Sequence, residues 1–260
     1  LVKTVLSYEL RTGRDPFPIM NRPITQQPHR LFMGTRALPC PYLPGKTERK
    51  VVTDLSAPKA MELYELLSRA GFRRSHSLAY RPACPGCTAC VPVRIRTGDF
   101  GWSRTFKRLM KRNADLTAND MAAHATMEQF RLFTRYQRSR HTGGEMSTMG
   151  FRDYRAMVED SPIDTRIVEF RNDAGDLAAV MLADRQMDAL SAVYSMYDPE
   201  EERRSLGTWM VLWMVENAAA MDLPFVYLGY WIEQSAKMAY KARFRPLEGL
   251  GPDGWKVISG

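Results

Sequence analysis

Apolar side chains recur with helical spacing in several stretches of the chain, and each stretch predicts a helix. Between residues 59 and 70 they return every third or fourth position, and Gly71 stands where a helix would end. The same spacing continues through residues 128–140 and 205–221, with Ser205 at the cap position, and more briefly through 233–240. Four helices are therefore expected, besides the basic segment described below.

Other stretches are rich in strand-forming residues. Residues 72–81 predict one strand, and residues 91–96 alternate apolar and basic side chains, as a half-buried strand does. Three runs separated by short polar links predict an antiparallel meander, and they cover residues 165–171, 176–184 and 189–197. A strand of the fully buried type is predicted at 224–231.

The order of these elements predicts the fold class. A three-strand meander, a polar loop with glycine, a helix and a further strand follow one another as in acyltransferases of the GNAT type. We therefore expect an α+β protein with a GNAT-like core in residues 121–260. Residues 1–120 are expected to form an N-terminal α+β lobe, which contains a proline-rich irregular arm at 21–50 and a cysteine-rich loop at 82–92.

The charge of the chain indicates a polyanionic partner. The chain has 260 residues, of which 45% are hydrophobic, and a net charge of +8. Five basic side chains lie within a predicted helix at 103–113, mostly on one face: Arg104, Lys107, Arg108, Lys111 and Arg112. A face this basic is suited to nucleic-acid phosphates, and a merely solvated face is the alternative.

The sequence favours a cytoplasmic protein over a membrane or secreted one. Its longest strongly apolar run, residues 209–215, is far shorter than the roughly 20 residues of a membrane-spanning helix. The first 20 residues contain no apolar segment typical of a signal peptide. Four cysteines are too few for a secreted disulfide scaffold.

Three of the four cysteines form a C-x2-C-x2-C motif at Cys84, Cys87 and Cys90. This spacing can present three thiolates from one loop, and Cys40 could supply a fourth ligand. The motif therefore predicts either an iron-sulfur cluster or zinc. The alternative is that the cysteines are small buried residues in a tight Pro-Gly loop.

The loop before residue 206 resembles an anion site, because it leads into a helix N-terminus with free backbone N–H groups. Acetyl-CoA enzymes of the GNAT type have an arginine or glutamine here, then a glycine, then a small residue. Arg204 and Gly207 fit this pattern, but Trp209 occupies the position of the small residue. The indole argues against pyrophosphate binding, and Trp209 is equally consistent with a core residue.

Five arginines surround the cysteine loop in sequence, and guanidinium groups suit bidentate binding of carboxylate or phosphate: Arg73, Arg74, Arg81, Arg94 and Arg96. Simple solvation is the alternative for any one of them. The four histidines share no metal-ligand spacing, and we expect structural or exposed positions for His29, His76, His124 and His141.

Several motifs in one order resemble a known family. They are Cys40-Pro-Tyr-Leu-Pro-Gly, Gly71-Phe-Arg-Arg-Ser75, Tyr80-Arg-Pro-Ala-Cys-Pro-Gly-Cys-Thr-Ala-Cys-Val-Pro-Val-Arg94, Ser205-Leu-Gly207, Tyr227-Leu-Gly-Tyr-Trp-Ile232 and Lys237-Met-Ala-Tyr-Lys241. Together they resemble the arginyl-tRNA-protein transferase family, and within it the bacterial aspartate/glutamate leucyltransferases. The resemblance extends from about Cys40 to Pro246.

This resemblance implies an aminoacyltransferase with a GNAT-like catalytic lobe. Such an enzyme moves an amino acid, usually leucine in the bacterial branch, from aminoacyl-tRNA to the α-amino group of proteins that begin with Asp or Glu. The product is an N-degron, and arginine is the alternative donor. Eukaryotic members have a second cysteine three residues after the position of Cys40, where this chain has Leu43. A cluster of the eukaryotic kind is therefore not implied.

An aminoacyl ester is already activated, so transfer needs alignment and oxyanion stabilisation more than a strong base or a cofactor. We expect Arg73, Arg74 or Arg94 to bind the acceptor carboxylate. By analogy of fold, the tRNA 3′ end is expected among Tyr194, Tyr197, Ser205, Leu206, Gly207, Tyr227 and Tyr230, with Lys237 and Lys241 near its phosphates. The basic segment at 103–113 is expected to contact the tRNA.

Two other functions remain open from sequence. One is an acetyl-CoA-dependent acetyltransferase, which requires a small residue in place of Trp209. The other is a non-enzymatic RNA-binding protein in which the cysteine loop is a zinc knuckle. The second leaves the GNAT-type element order and the Lys237–Lys241 motif unexplained. The oligomeric state and the identity of any general base are not predicted.

Overall fold

The computed structural model describes residues 31–141 and 143–258. The first part of the predicted arm, residues 21–30, lies outside this range, as does His29. The predicted cysteine loop, the basic segment, the meander and the residues of the candidate site all lie within it.

The described residues form fourteen strands: β1 (Met33–Gly34), β2 (Leu38–Pro39), β3 (Thr47–Glu48), β4 (Lys50–Asp54), β5 (Arg73–Ser75), β6 (Leu78–Pro82), β7 (Val91–Arg96), β8 (Thr117–Ala122), β9 (Thr165–Arg171), β10 (Leu177–Arg185), β11 (Ala189–Tyr197), β12 (Phe225–Trp231), β13 (Leu247–Gly251) and β14 (Gly254–Val257). The α-helices in the same range are α1 (Ala60–Arg69), α2 (Arg104–Arg112), α3 (Met127–Arg140), α4 (Phe151–Glu159), α5 (Leu206–Ala220) and α6 (Ala236–Ala239). Short 3-10 helices occupy Glu145–Thr148, Glu202–Arg204 and Tyr240–Arg243.

Eight strands form the main sheet, in the order β14-β13-β7-β12-β11-β10-β9-β8. Strands β8 to β11 pair antiparallel with one another and contain the predicted meander. Strand β12 is parallel to β11, because helix α5 returns the chain across the sheet between them. Strand β7, from the N-terminal half, pairs with both β12 and β13.

The sheet is covered on both faces, and side chains alternate between two cores. Val168, Phe170 and Met181 pack with α2 and α5 on one face. Ile167, Val180 and Leu182 pack with α3 and α4 on the other. Strand β10 is therefore buried along nearly its whole length, and it consists mainly of apolar residues rather than an alternation.

A smaller sheet in the order β1-β4-β6-β5 packs with α1 around its own core, which includes Leu55, Tyr64 and Phe72. A buried ion pair joins this layer to the main sheet. Arg74 on β5 donates two hydrogen bonds to Asp184 on β10, at 2.9 and 2.7 Å. Thr165 on β9 donates a further bond to the same carboxylate, at 2.8 Å.

The α+β class and the GNAT-like core are confirmed, and most predicted elements lie within a residue or two of the observed ones. The single strand predicted at 72–81 is wrong, because His76 adopts a positive φ of 54° and divides the segment into the hairpin β5-β6. Strand β8, helix α4 and the hairpin β13-β14 were not predicted from sequence. The helix predicted at 233–240 is reduced to α6 and a 3-10 turn.

The predicted boundary between lobes near residue 120 stays a prediction. Strand β7 comes from the N-terminal side of that boundary and is nevertheless an interior strand of the main sheet. Within the described residues, no helix is both long and apolar enough to span a bilayer.

Candidate functional site

A gap opens in the main sheet where two parallel neighbours separate. Strands β11 and β12 pair only at residues 189–191 and 225–227, yet β11 continues to Tyr197 and β12 to Trp231. Beyond the last pair, the facing edges no longer share ladder hydrogen bonds. Backbone groups along such edges are free to bind an extended ligand.

The β12 edge of the gap bends at Gly229. The register between β12 and β7 shifts between Tyr227 and Tyr230, and Gly229 has a φ of 76°, a conformation that side chains other than glycine rarely adopt. A β-carbon at this position would lie 3.8 Å from the Lys241 Nζ atom. Arg73 Nη2 is 3.5 Å from the Gly229 carbonyl oxygen on the same bend. The bulge thus lies between two basic side chains.

Aromatic side chains line the β11 edge. The rings of Tyr197 and Tyr136 are 4.9 Å apart in an edge arrangement, and the Arg140 guanidinium lies 5.9 Å from the Tyr197 ring. Tyr194 accepts a short hydrogen bond from Gln137 of α3. A β-carbon on Gly207 would lie 3.2 Å from the Tyr197 ring, so the small residue lets the start of α5 approach β11.

Helix α2 holds the loop before α5. Asn113 donates to the Arg204 carbonyl at 3.1 Å, and Arg112 donates to the Arg203 carbonyl at 2.6 Å. The Arg204 side chain makes a bidentate pair with Asp115, at 2.9 and 2.8 Å. Arg204 is therefore already paired with a carboxylate, and it does not serve as the free cation that a pyrophosphate loop requires.

Ser205 differs from its sequence expectation in one respect. It is the residue before α5, as predicted, but it has a φ of 51° and its side chain caps no helical N–H group. Trp209 is buried and packs against Phe170, with ring centroids 4.9 Å apart, which agrees with the core alternative considered for it.

A basic groove lies between α2 and the first turn of α5. It has a volume of about 240 Å³ and is lined by Arg108, Arg112, Ser205, Thr208 and Arg243, together with parts of Thr105, Phe106 and Leu109. Arg243 donates to the Thr208 hydroxyl at 3.2 Å. The remaining basic residues predicted on this helix, Arg104, Lys107 and Lys111, are exposed beside the groove. Phe106 and Leu109 are buried, which divides α2 into an apolar and a basic face.

The three arginines predicted to bind a carboxylate have different partners. Arg74 is fully buried against Asp184. Arg94 donates to Glu248 at 2.7 Å and lies over the rings of Phe225 and Trp255. Arg73 is buried but bonds only to backbone carbonyls of Phe72, Val93 and Gly229. Its guanidinium lies 4.8 Å from the ring of Tyr227.

The two predicted lysines also differ. Lys237 is exposed on α6, whereas Lys241 is buried and donates to the Tyr230 carbonyl at 2.7 Å. Burial lowers the pKa of Lys241 to about 7, with a further contribution from the Arg73 guanidinium. Lys241 is therefore an interior amine and not a surface contact for phosphates.

The phenols of the site are neutral donors and acceptors. Burial raises the pKa of Tyr136, Tyr194 and Tyr230 above the usual range for tyrosine. Tyr230 contacts two carbonyls of the N-terminal layer, those of Gly71 at 2.9 Å and Tyr80 at 3.1 Å. His141 follows α3. Burial is the main cause that lowers its pKa, and the positive charge of Lys237 lowers it further.

The four cysteines are half-buried free thiols that lie near one another. Burial raises the pKa of Cys90 to about 11, and Cys84, Cys40 and Cys87 add to this effect. The Arg49 N–H donates to the Cys84 sulfur, 3.3 Å away. Within the described range, no group of three or more His, Cys, Asp or Glu side chains is arranged to hold a metal ion. The predicted cluster or zinc site at these residues is unsupported.

Sequence reasoning missed several residues of the gap, the groove and the buried ion pairs, namely Tyr136, Gln137, Arg140, Asp184, Arg243 and Glu248. Gln137 and Arg140 belong to a helix that was predicted, but nothing in its pattern indicated which face meets β11. Asp184 and Glu248 are single acids in apolar strands, and that contrast is the one sequence signal that could have identified them.

An antiparallel meander, a crossing helix that begins at a basic groove, and a parallel strand that separates from the meander define a GNAT-like fold. The chain belongs to the arginyl-tRNA-protein transferase family. It matches the model described as "Arginine-tRNA-protein transferase, N terminus" over residues 38–108 and the corresponding C-terminal model over residues 128–251.

Curated relatives resemble the chain over most of its length. A protein of Paramagnetospirillum magneticum named aspartate/glutamate leucyltransferase is 61% identical over 93% of this chain and 96% of its own. Proteins of the same name from Rhodospirillum rubrum and Agrobacterium fabrum are 56% and 46% identical. These matches cover 88% and 92% of this chain, and 93% and 98% of the relatives.

Solved structures match more distantly. L-PGS from Bacillus licheniformis is 10% identical, with a TM-score of 0.43 over 66% of this chain and 50% of that one. A GCN5-related N-acetyltransferase from Kribbella flavida is 14% identical, with a TM-score of 0.32 over 64% and 54%. Similarities of this size do not bear on function.

Proposed function

We propose that this chain transfers leucine from Leu-tRNA to the α-amino group of proteins that begin with Asp or Glu, which creates an N-degron. The observation that carries the proposal is the similarity, over nearly the whole chain, to relatives named aspartate/glutamate leucyltransferase. The geometry is compatible with this reaction, because the basic groove lies at the start of α5, which also contacts Tyr197 on the β11 edge of the gap, and the rim of the gap contains both aromatic and cationic side chains.

The basic groove is our proposed contact for the tRNA acceptor end. Arg108, Arg112 and Arg243 line it, and the other basic residues of α2 extend the same surface. Phosphate contacts of this kind fix the position of the nucleic acid without reading its sequence. The 3′ aminoacyl end then extends past Ser205, Leu206 and Gly207 toward Tyr194, Tyr197, Tyr227 and Tyr230.

The reaction is an acyl transfer between two bound substrates. The acceptor's neutral α-amine attacks the ester carbonyl carbon, a C–N bond forms, and the bond to the ribose oxygen breaks. The amine loses a proton and the tRNA leaves with a free ribose hydroxyl. Because an α-amino group has a pKa of about 7.7 to 8.0, part of it is already neutral at pH 7. Alignment by the site therefore supplies most of what the reaction needs.

We propose that transfer requires no cofactor and takes place in the cytoplasm, where aminoacyl-tRNA is found. The ester bond is an activated donor, so no step needs a redox centre or a Lewis acid. We assign no catalytic role to the cysteines.

The test is a transfer assay with purified protein. Leu-tRNA and Arg-tRNA are supplied in separate reactions, with matched peptides that begin with Asp, Glu, Asn or Ala. We expect leucine to enter only the Asp and Glu peptides. Incorporation of arginine instead would overturn the choice of donor, whereas no transfer from either tRNA would overturn the proposal. Coenzyme A binding, measured by calorimetry, would then favour an acetyltransferase.

A further inference from the structure

Two buried cations at the bend of β12 have no carboxylate partner within the described part of the chain. Arg73 is 4% exposed and Lys241 is 8% exposed, and neither takes part in any of the ion pairs found there. An unpaired buried charge is costly, so native proteins rarely leave one without compensation. These two residues therefore need an explanation beyond packing.

Four carboxylates of this region already have their own cations. Asp184 is paired with Arg74, and Glu248 with Arg94. On the outer side of the same region, Glu48 pairs with Lys50 at 2.9 Å and Asp188 pairs with Arg69 at 2.8 Å. Neither Arg73 nor Lys241 is consequently paired with any of these acids.

Backbone carbonyls satisfy only part of the hydrogen-bonding capacity of the pair. Arg73 donates from its two terminal nitrogens to carbonyls, at 3.1, 3.3 and 3.5 Å, while its buried Nε atom has no partner. Lys241 donates at 2.7 Å to the Tyr230 carbonyl and contacts the Met238 sulfur at 3.4 Å. An ammonium group has three donors, and a guanidinium has five. Both groups therefore have donors without a partner in the described part of the protein.

The position of the pair relates it to the reaction site. Arg73 and Lys241 flank Gly229 on β12, just beyond the last residue at which β12 pairs with β11. Gly229 itself is half-exposed and leaves space in front of Lys241 that a larger side chain would fill. A ligand that enters the gap along the β12 edge would thus reach both cations.

We infer that Arg73 and Lys241 form the pocket that binds the side-chain carboxylate of the acceptor's first residue. This inference rests on the proposed function and names the residues that determine its acceptor specificity. A carboxylate supplies the missing negative charge and accepts charge-assisted hydrogen bonds from both groups. The amide of Asn or Gln brings no charge, and its NH2 group would face two donors, so acceptors of this kind are rejected.

The experiment compares acceptor specificity in two variants, Lys241→Met and Arg73→Gln, with the exposed Lys256→Met as a matched control. Peptides that differ only in an initial Asp, Glu, Asn or Gln are assayed at saturating Leu-tRNA. For Lys241→Met we expect kcat/KM toward Asp and Glu peptides to fall about 10- to 100-fold, mainly through KM. The KM for Leu-tRNA should stay within about twofold of the wild-type value, and Lys256→Met should match the wild type throughout.

Conservative replacement and direct binding separate this role from a structural one. Arg73→Lys keeps the charge and should retain the preference for Asp over Asn that Arg73→Gln loses. Calorimetric titration of an Asp-starting peptide, without tRNA, should show binding to the wild type and weaker binding to Lys241→Met. Melting temperatures identify a variant that fails to fold. If Arg73→Gln fails to fold, the result for Lys241→Met alone tests the proposal.

The outcomes are distinguishable from failure of the proposed function. If the wild type binds the Asp peptide but transfers no leucine, the proposed reaction is wrong and the pocket stands. Wild-type discrimination between Asp and Asn in both Lys241→Met and Arg73→Gln would overturn the pocket while leaving the reaction intact.

Discussion

At the scale of single residues, the unusual side chains of this protein are buried bases. A guanidinium group does not lose its proton in proteins, and Arg73 carries such a group. Lys241 responds differently to the same interior, since burial and its basic neighbour favour the neutral amine. One cation of the pair is therefore permanent, and the other depends on pH and on what lies beside it.

Lys241 should make the stability of the protein depend on pH in a definite direction. Below pH about 7 the amine is protonated in both states, and the native state bears the full cost of the buried charge. Between about 7 and 10.4 the unfolded chain binds a proton that the native amine lacks, so stability rises with pH by about 1.4 kcal/mol per pH unit. Lys241→Met removes this dependence.

Urea unfolding of the wild type and Lys241→Met at pH 6.5 and pH 9.5 checks this expectation. The variant should be the more stable protein at pH 6.5, and its advantage should shrink at pH 9.5 by on the order of 3 kcal/mol. Lys256→Met, at an exposed position, should show a difference that is flat with pH. A flat difference for Lys241→Met as well would mean that the amine is charged in the native protein.

At the scale of elements, a buried ion pair joins the small N-terminal sheet to the main sheet. The bidentate pair between Arg74 on β5 and Asp184 on β10 is completely shielded from solvent. Thr165 completes the shell around the carboxylate, and the His76 carbonyl accepts from the remaining guanidinium nitrogen at 2.9 Å. This junction orients the layer that carries Arg73, which is the neighbouring residue on β5.

Removing the acid should therefore be costly. Asp184→Ala leaves Arg74 buried without a carboxylate partner, and we expect a loss of about 3 to 5 kcal/mol in the free energy of unfolding. Glu62→Ala removes one member of the exposed Lys59–Glu62 pair and should change stability by less than about 0.5 kcal/mol. Denaturant unfolding of both variants measures the contrast, and equal losses would contradict it.

The elements that the sequence predicted were those with a clear period. Helices α2 and α3 bury one stripe, and strands β9 and β11 are runs of strand-forming residues bounded by polar links, so their patterns mark their limits. Strand β8 has almost no buried residue and β13 contains two glycines, so neither carries such a pattern. The ion-pair partners could not be predicted, because a sequence does not show which of Arg73, Arg74 and Arg94 pairs with an acid from a distant strand.

At the scale of the whole molecule, positive charge is concentrated where a polyanion would lie. Helix α2 presents its basic face beside the groove, and its apolar face is part of the main core. Part of the net charge of +8 is thus concentrated on the basic face of α2. A partner attracted by this surface should bind in a salt-dependent manner.

Salt titration tests the groove directly. The double variant Lys107→Ala, Arg108→Ala should bind deacylated tRNA more weakly than the wild type. The slope of the logarithm of the binding constant against the logarithm of the salt concentration should become shallower by about 2, one for each lost phosphate contact. Filter binding between about 50 and 200 mM salt gives both slopes. Arg152→Ala on α4 is the control, and an unchanged slope in the double variant would rule out α2 as a tRNA contact.

The insertion of β7 between β12 and β13 has a consequence for the assembly of the enzyme. Arg94 on β7 meets Glu248 on β13 across 154 residues of chain, so the main sheet is completed by strands that are far apart in sequence. Contacts between such distant segments form late and slowly. A chain still emerging from the ribosome therefore lacks β13 beside β7 until Leu247–Gly251 has been made, and this side of the candidate site forms only after translation has passed that strand.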